Sequence, residues 1–323
     1  VAFECVEGFS ELGHEVTLFA PQTAHTSAKH HVPTLDSAIV ESRMDARLAE
    51  DHHIAQAMEL ARTGEFDVMH SHLHVHALGY SRFLPLPLVS TLHGVAWNRA
   101  THPLLGAYRE QPFVSISDAE RRFLPNLNYV GTVYNGINTG DFELQTVKED
   151  YLLFAGRLAP EKAPDLAIEV SRRAEVKLLI AGDIEPRYQG FFDAEVKPHL
   201  GPNVEYLGSQ PRSSLAALLG KAKGLLMPLR WDEPFGLVVV EALVSGTPVI
   251  GWKRGALPEL IEHGTHGFLV SDVAQAVTAV GRLSDLDPRA ARSHVEQRFS
   301  RRAMSESYLD VFARLLSSRP NLN

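Results

Sequence analysis

Two clusters of charged residues stand where a phosphate-bearing ligand would need them. The first is Gly156-Arg157-Leu158-Ala159-Pro160-Glu161-Lys162, directly after an apolar run. Its two cations lie five residues apart, on a turn that enters a helical pattern. Arg grips phosphate bidentately and Lys adds a point charge, so the pair suits a ligand carrying two phosphate charges. A solvated turn with an Arg–Glu pair is the plainer alternative for this segment alone. The second cluster runs from Glu233 through Pro234, Phe235, Gly236 and Leu237 to Glu241, and on to Gly246-Thr247-Pro248-Val249. Gly236 opens a predicted helix after a Pro-containing loop, which lets backbone N–H groups approach a phosphate closely. Glu233 precedes that helix and Glu241 lies about 7.5 Å up it. Acceptors so separated suit two hydroxyl-bearing parts of one extended ligand. Glu241 could be an ordinary solvated helix residue. It sits, however, in an apolar run where an unpaired carboxylate is costly, so a polar partner is expected and a ligand is a candidate.

Such residues need rigid elements beneath them, and the chain supplies a repeating set. Short apolar runs alternate with helical patterns, the signature of βαβ units and parallel sheets. Val1 to Leu12 reads as a helix with Val6, Phe9 and Leu12 on one face and Gly13 as its stop. Glu15 to Ala20 reads as a buried strand, and further strands are predicted at 66–70, 86–93, 113–117 and 129–134. A polar, turn-rich linker follows at 138–150. The pattern then restarts, with strands predicted at 151–156, 177–182, 204–208, 224–229, 248–251 and 267–270. Helices are predicted at 213–222, 236–245 and 273–283. Two consecutive doubly wound α/β domains fit best, with a ligand expected in the cleft between them. Such a domain normally opens with a strand and a Gly-rich turn, so the opening strand and loop are expected to be missing from this sequence.

The 323 residues and 35.7 kDa are compatible with two domains. Hydrophobic residues at 45% and charged residues at 22% exclude wholesale disorder. No apolar run approaches the ~20 residues that span a bilayer, and no stretch reads as a signal peptide. A single cysteine, Cys5, forms no internal disulfide, and a cytoplasmic setting is expected. Positions 1–146 hold 9 Lys/Arg against 17 Asp/Glu, whereas the remainder holds 22 of each. That acidic first half argues against nucleic acid as a partner. G-x-G-x-x-G, P-loop, G-x-S-x-G and H-E-x-x-H patterns are all absent. Asp285-Leu286-Asp287 has the form of a metal-binding D-x-D, but it precedes Pro288 and reads better as helix capping. His70, His72, His74 and His76 alternate and would share one face if the strand continued. No neighbouring carboxylate completes a ligand set, so hydrogen bonding at a strand edge is preferred to metal binding.

Taken together, these motifs resemble those of glycosyltransferase family 4, the retaining enzymes of the GT-B fold. Glu233 and Glu241 match its E-x7-E motif with the usual E-x-F-G-L core, and Gly156, Arg157, Leu158, Glu161 and Lys162 match G-R-L-x-x-E-K. Gly246 to Val249 match its G-x-P-V strand. Gly255, Leu257, Pro258 and Glu259 match a G-G-L-P-E turn, with Ala256 replacing the second glycine. The first half is similar more loosely, through Gly13 to Leu18, through His93 in Ser90-Thr91-Leu92-His93-Gly94, and through Asn135 to Asn138.

The resemblance implies two facing Rossmann-like domains: residues 1–146 on the acceptor side, 147–300 for the donor, and 301–323 as a helix returning to the first. It implies transfer of a sugar from a nucleoside-diphosphate donor, a UDP-sugar by preference over GDP or ADP, with retention and without a metal. Arg157 and Lys162 would neutralise the leaving diphosphate. Glu241 would bind the donor ribose, and Glu233 the transferred sugar, with Gly156, Phe235, Gly236 and Leu237 nearby. His93 would position the sugar. The acceptor, whether small molecule, glycan or lipid-linked, is left open. A nucleotide-sugar epimerase and a non-catalytic sugar-nucleotide-binding protein are the alternatives. A glycosidase using Glu233 and Glu241 fits less well, because hydrolases place their carboxylates across the scissile bond.

Overall fold

A computed structural model of the chain describes residues 1–37, 45–63, 66–73, 75–94 and 98–318. The chain divides into two units: Val1–Gly136 together with the segment from Arg301 onward, and Ile137–Ser300.

The first unit opens with α1 (Ala2–Glu11), which buries Cys5, Val6 and Phe9. Two parallel strands follow, β1 (Thr17–Pro21) and β2 (His30–Leu35), paired as a separate sheet. All five residues of β1 are only half-buried, so this strand is less enclosed than its apolar run suggested. After α2 (Ala46–Ala61) comes a four-stranded parallel sheet of β3 (Met69–Ser71), β4 (Leu88–Leu92), β5 (Phe113–Ser115) and β6 (Tyr129–Thr132) in that spatial order. Short helices α3 (His102–Ala107) and α4 (Asp118–Arg121) lie between its later strands.

The second unit carries six parallel strands: β7 (Tyr151–Ala155), β8 (Lys177–Ala181), β9 (Val204–Tyr206), β10 (Gly224–Met227), β11 (Val249–Trp252) and β12 (Gly267–Val270). Their crossovers are α5 (Pro164–Ala174), a short α6 (Gln189–Phe191), α7 (Arg212–Lys221), α8 (Leu237–Val244) and α9 (Leu257–Leu260), followed by α10 (Val273–Val280) and α11 (Pro288–Arg298). Strands covered on both faces read as continuous apolar runs, and every residue of β7, β10 and β11 is buried. From these strands Leu152, Phe154, Leu226, Ile250 and Trp252, with Leu158, Ile168, Phe192, Phe268 and Leu283, form one core. Residues 138–150, the predicted linker, belong to this unit. Lys148 donates to Gly220 O at 2.7 Å and to Thr247 Oγ1 at 2.8 Å, pinning the segment to the end of α7. Asp287 caps α11 by accepting from Arg289 N at 2.9 Å, as its position before Pro288 suggested.

The last helix, α12 (Arg301–Ser317), lies in the first unit. Met304, Tyr308, Val311 and Phe312 recur at helical spacing and are all buried, in one cluster with Cys5, Phe9, Val89 and Val114. Arg301 Nε donates to Glu4 Oε2 at 2.6 Å, and Arg301 also pairs with Glu11. Leu316, expected on the apolar face, is exposed instead, one position past the buried stripe. No helix among the described residues is long and apolar enough to cross a membrane.

Candidate functional site

In the second unit the strand order β12-β11-β10-β7-β8-β9 reverses direction at the neighbouring pair β7 and β10. At such a switch point consecutive crossovers leave to opposite faces, opening a crevice at the carboxyl ends of the two strands. Here that crevice has a volume of about 340 Å³. Phe154, Ala155, Gly156 and Arg157 line it from the end of β7 and the turn after it, and Met227, Leu229 and Trp231 from the end of β10 and the loop after it. Lys162, Glu233, Gly236, Leu237 and Val238 complete the wall. The two motifs therefore meet because each follows one of the two strands that flank the switch point.

Both cations are already engaged by carboxylates. Arg157 Nη1 donates to Glu185 Oε1 at 2.6 Å and Nη2 to Glu161 Oε1 at 3.1 Å. The Glu185 contact is the main reason the Arg157 guanidinium is held even more firmly protonated than usual, and Arg157 in turn holds Glu185 below the ordinary carboxylate range. Lys162 Nζ is paired with Glu233 Oε2. Trp231 Nε1 donates to the same oxygen at 3.1 Å, and the Lys162 ammonium lies 4.8 Å from the centre of the Trp231 ring. Ammonium, indole and carboxylate form a closed triangle.

Backbone geometry fixes this triangle. Ala163, fully buried directly after Lys162, is held at φ 55°, a left-handed conformation that an alanine adopts only when its surroundings impose it. On the other side, Gly255 N donates to Asp232 Oδ1 at 3.2 Å and Ala256 N to Glu233 O at 2.9 Å. A Cβ on Gly255 would fall 2.3 Å from both Glu233 N and Glu233 O, so only glycine lets that turn close on Glu233. Gly236, at φ +99°, makes the left-handed step from the loop into α8.

Six of the eight residues expected to bind a donor line the crevice: Gly156, Arg157, Lys162, Glu233, Gly236 and Leu237. Phe235 does not line it. Its side chain is 2% exposed and packs edge-on against Phe299, ring centres 6.0 Å apart, because an aromatic ring gains more in the core than at a polar wall. Glu241 is half-buried on α8, and burial pushes its carboxyl above the ordinary range, opposed by Arg212 of α7.

His93 belongs to the first unit, one residue past β4. Its Nε2 lies 2.9 Å from Nδ1 of His72, one residue past β3. The next residue, Gly94, donates its N–H at 2.6 Å to the buried carboxylate of Glu120, whose other oxygen accepts from Ile116 N at 3.1 Å. Of the alternating histidines, His70 and His72 pack together, with ring centres 4.3 Å apart. His70 meets Thr91 Oγ1 at 2.8 Å and His76 pairs with Glu50 at 3.2 Å, while His74 lies outside the described residues.

Sequence reasoning missed Trp231, Glu185, His72 as a partner of His93, and Glu120. An aromatic between Arg230 and the E-x-F-G segment was the available signal for Trp231. Glu120 stands at the third position after Ser117, the N-cap that accepts its backbone N–H at 3.1 Å.

Comparison with known proteins bears on the family and the fold. The family model for glycosyl transferases group 1 matches residues 140–293, and that for glycosyltransferase family 4 matches residues 1–141. The D-inositol 3-phosphate glycosyltransferase of Mycolicibacterium smegmatis is 28% identical over 302 residues, covering 79% of this chain and 68% of the relative. AviGT4, a glycosyltransferase involved in avilamycin A biosynthesis, superposes with a TM-score of 0.73 at 24% identity, covering 98% of this chain and 89% of that one. HepE of Anabaena, solved in complex with UDP, gives 0.71 at 19% identity over 97% and 96% of the two chains. With both halves of the chain matched and the motif residues gathered at the switch point, the chain belongs to glycosyltransferase family 4, with the GT-B fold.

Proposed function

We propose that the chain transfers a glycosyl group from a nucleoside-diphosphate sugar, a UDP-sugar foremost, to a hydroxyl-bearing acceptor. In this reading the configuration at the anomeric carbon is retained and no divalent metal takes part. The observation that carries the reading is the placement of Arg157 and Lys162 beside the start of α8 in one crevice at the switch point. Two fixed cations and a helix N-terminus give a diphosphate three sources of positive potential. As the bond from the anomeric carbon to the diphosphate breaks, negative charge grows on the leaving oxygen, where fixed donors act most strongly. The cations thus supply the charge neutralisation for which other enzymes use a metal.

Arrival of the diphosphate makes Lys162 exchange the Glu233 carboxylate for phosphate oxygen. Glu233 is then released to accept hydrogen bonds from hydroxyls of the transferred sugar, beside a ring that gains positive charge. Glu241, further up α8, takes the ribose hydroxyls, and His93 positions the sugar. UDP as the carrier is supported by the complexes of HepE with UDP. The sugar and the acceptor are to be found by screening.

The test is titration of UDP, GDP and ADP by calorimetry, followed by assay of UDP-sugars against small-molecule, glycan and lipid-linked acceptors with and without EDTA. Binding of one diphosphate, with sugar transfer that chelation leaves unchanged, is the expected result. Failure of all three to bind, epimerisation without transfer, or loss of activity on chelation restored by Mn²⁺ would overturn the reading.

A further inference from the structure

We propose that His72 is the positioning residue of His93, fixing both the rotation of its ring and the nitrogen that carries its proton. This inference rests on the reading above that His93 serves the sugar being transferred.

The geometry comes from strand register. In the parallel pair β3 and β4, His70 stands opposite Val89 and Ser71 opposite Ser90. Side chains two apart on a strand share a face, so His70 and His72 project together from one strand, and Thr91 and His93 from the other. They meet in two successive rungs with the same sequence offset of 21 residues: His70 to Thr91 at 2.8 Å and His72 to His93 at 2.9 Å. The inner rung is anchored from behind, because Thr91 Oγ1 lies 3.0 Å from the hydroxyl of the fully buried Tyr308 on α12. The His70 ring packs 4.3 Å from that of His72, centre to centre, and 4.6 Å from that of Tyr308. Rings of His72 and His93 lie 5.2 Å apart and only 23° from parallel. The outer rung therefore stands on a packed base at the carboxyl edge of the sheet, where α/β units bind ligands.

Proton counting gives the pair its function. A neutral imidazole carries one N–H, and a contact between two ring nitrogens requires one hydrogen between them. If His72 Nδ1 donates, the His93 proton must sit on Nδ1. If His93 Nε2 donates, the His72 proton must sit on Nε2. A mixed combination places either two hydrogens or two lone pairs face to face. The tautomer of His93 is thus tied to that of His72 through their 2.9 Å contact.

The test compares His72→Leu, His72→Asn and His72→Gln in the full chain, with folding checked by urea midpoint and near-UV circular dichroism. Asn offers an amide near the position of Nδ1, whereas Gln offers one near that of Nε2. Long-range ¹H–¹⁵N imidazole spectra read the His93 tautomer directly. Mixed or changed His93 tautomers are expected in the Leu and Gln variants, and a single one in wild type and Asn. In kinetics, His72→Leu should lower kcat about 10- to 100-fold with donor KM nearly unchanged. Asn should recover most of that loss, and His93→Ala added to His72→Leu should cost little more. A His93 spectrum indifferent to His72→Leu, or equal kcat in the Leu and Asn variants, would overturn the proposal. If the wild-type chain transfers no sugar, the functional reading fails on its own, while the spectra still decide whether His72 governs His93.

Discussion

Replacing Glu233 by Gln should tighten the binding of free UDP while slowing transfer. Lys162 and Glu233 have side chains only 17% and 10% exposed, so solvent screens their pairing weakly. A hydrogen bond to a charged group contributes about 1.5–3 kcal/mol net, and Lys162 must surrender much of this when it turns to phosphate. Gln is nearly isosteric and still accepts the Trp231 indole N–H, but it no longer competes as an anion. Removing the competitor should therefore favour UDP by about 1–2 kcal/mol, roughly 5- to 30-fold in Kd. The same substitution removes the negative charge beside a sugar ring that becomes positive, so kcat should fall while the variant stays folded. Calorimetric titration of UDP at fixed ionic strength, paired with steady-state kinetics at saturating acceptor, measures both. Unchanged or weaker UDP binding would refute the exchange of partners at Lys162. An unchanged kcat would refute the placement of Glu233 at the sugar.

Other expectations follow from the same geometry. Glu241→Gln should chiefly raise donor KM and weaken UDP, because ribose keeps its hydroxyls throughout the reaction; a pure kcat effect would contradict that role. Arg157→Ala should weaken UDP by about 1.5–3 kcal/mol, with the affinity of both wild type and variant insensitive to EDTA in the same titration. Glu120 bears on pH. Burial lifts its carboxyl to about 7, so between the ordinary carboxylate range and pH 7 the folded chain binds a proton that the unfolded chain does not. This contribution to stability is present at low pH and fades as pH rises through 7, by up to about 3 kcal/mol. His70, pushed down to about 3 chiefly by burial, acts oppositely and costs stability as the pH falls below the ordinary imidazole range. Urea midpoints from pH 5 to 8 should therefore lose their Glu120 component in Glu120→Gln, leaving stability to rise with pH; an unchanged profile would count against the assignment.

The second unit was legible almost strand by strand, because parallel strands covered on both faces must be continuous apolar runs such as Tyr151-Leu152-Leu153-Phe154-Ala155. The edge of the first unit was not. β2 reads His30-His31-Val32-Pro33-Thr34-Leu35, with no apolar run and a proline tolerated only where a strand lacks a full set of ladder partners. α2 hides in the same way, since Asp51, His52 and His53 interrupt the stripe of Ala49, Ile54, Ala57, Met58 and Ala61 that it buries. At the candidate site, spacing named Arg157 and Lys162 after β7, Glu233 after β10 and Glu241 on α8, because both motifs come after strands that were themselves legible. It did not name their partners. Glu185 reaches Arg157 across 28 positions and Lys162 reaches Glu233 across 71, distances that only the packed sheet closes.

The return of α12 to the first unit has a consequence for biogenesis. Tyr308 is linked to Thr91 across 217 positions, and Met304 Sδ accepts from Gly136 N across 168. The core around β4 and Gly136 therefore waits for α12, translated well over a hundred residues later, before it is sealed. The second unit draws all its strands from one uninterrupted stretch and can consolidate while the chain is still growing. High contact order is thus concentrated in the first unit, and the nascent chain must hold an exposed apolar face around Phe9, Val89 and Val114 until α12 emerges.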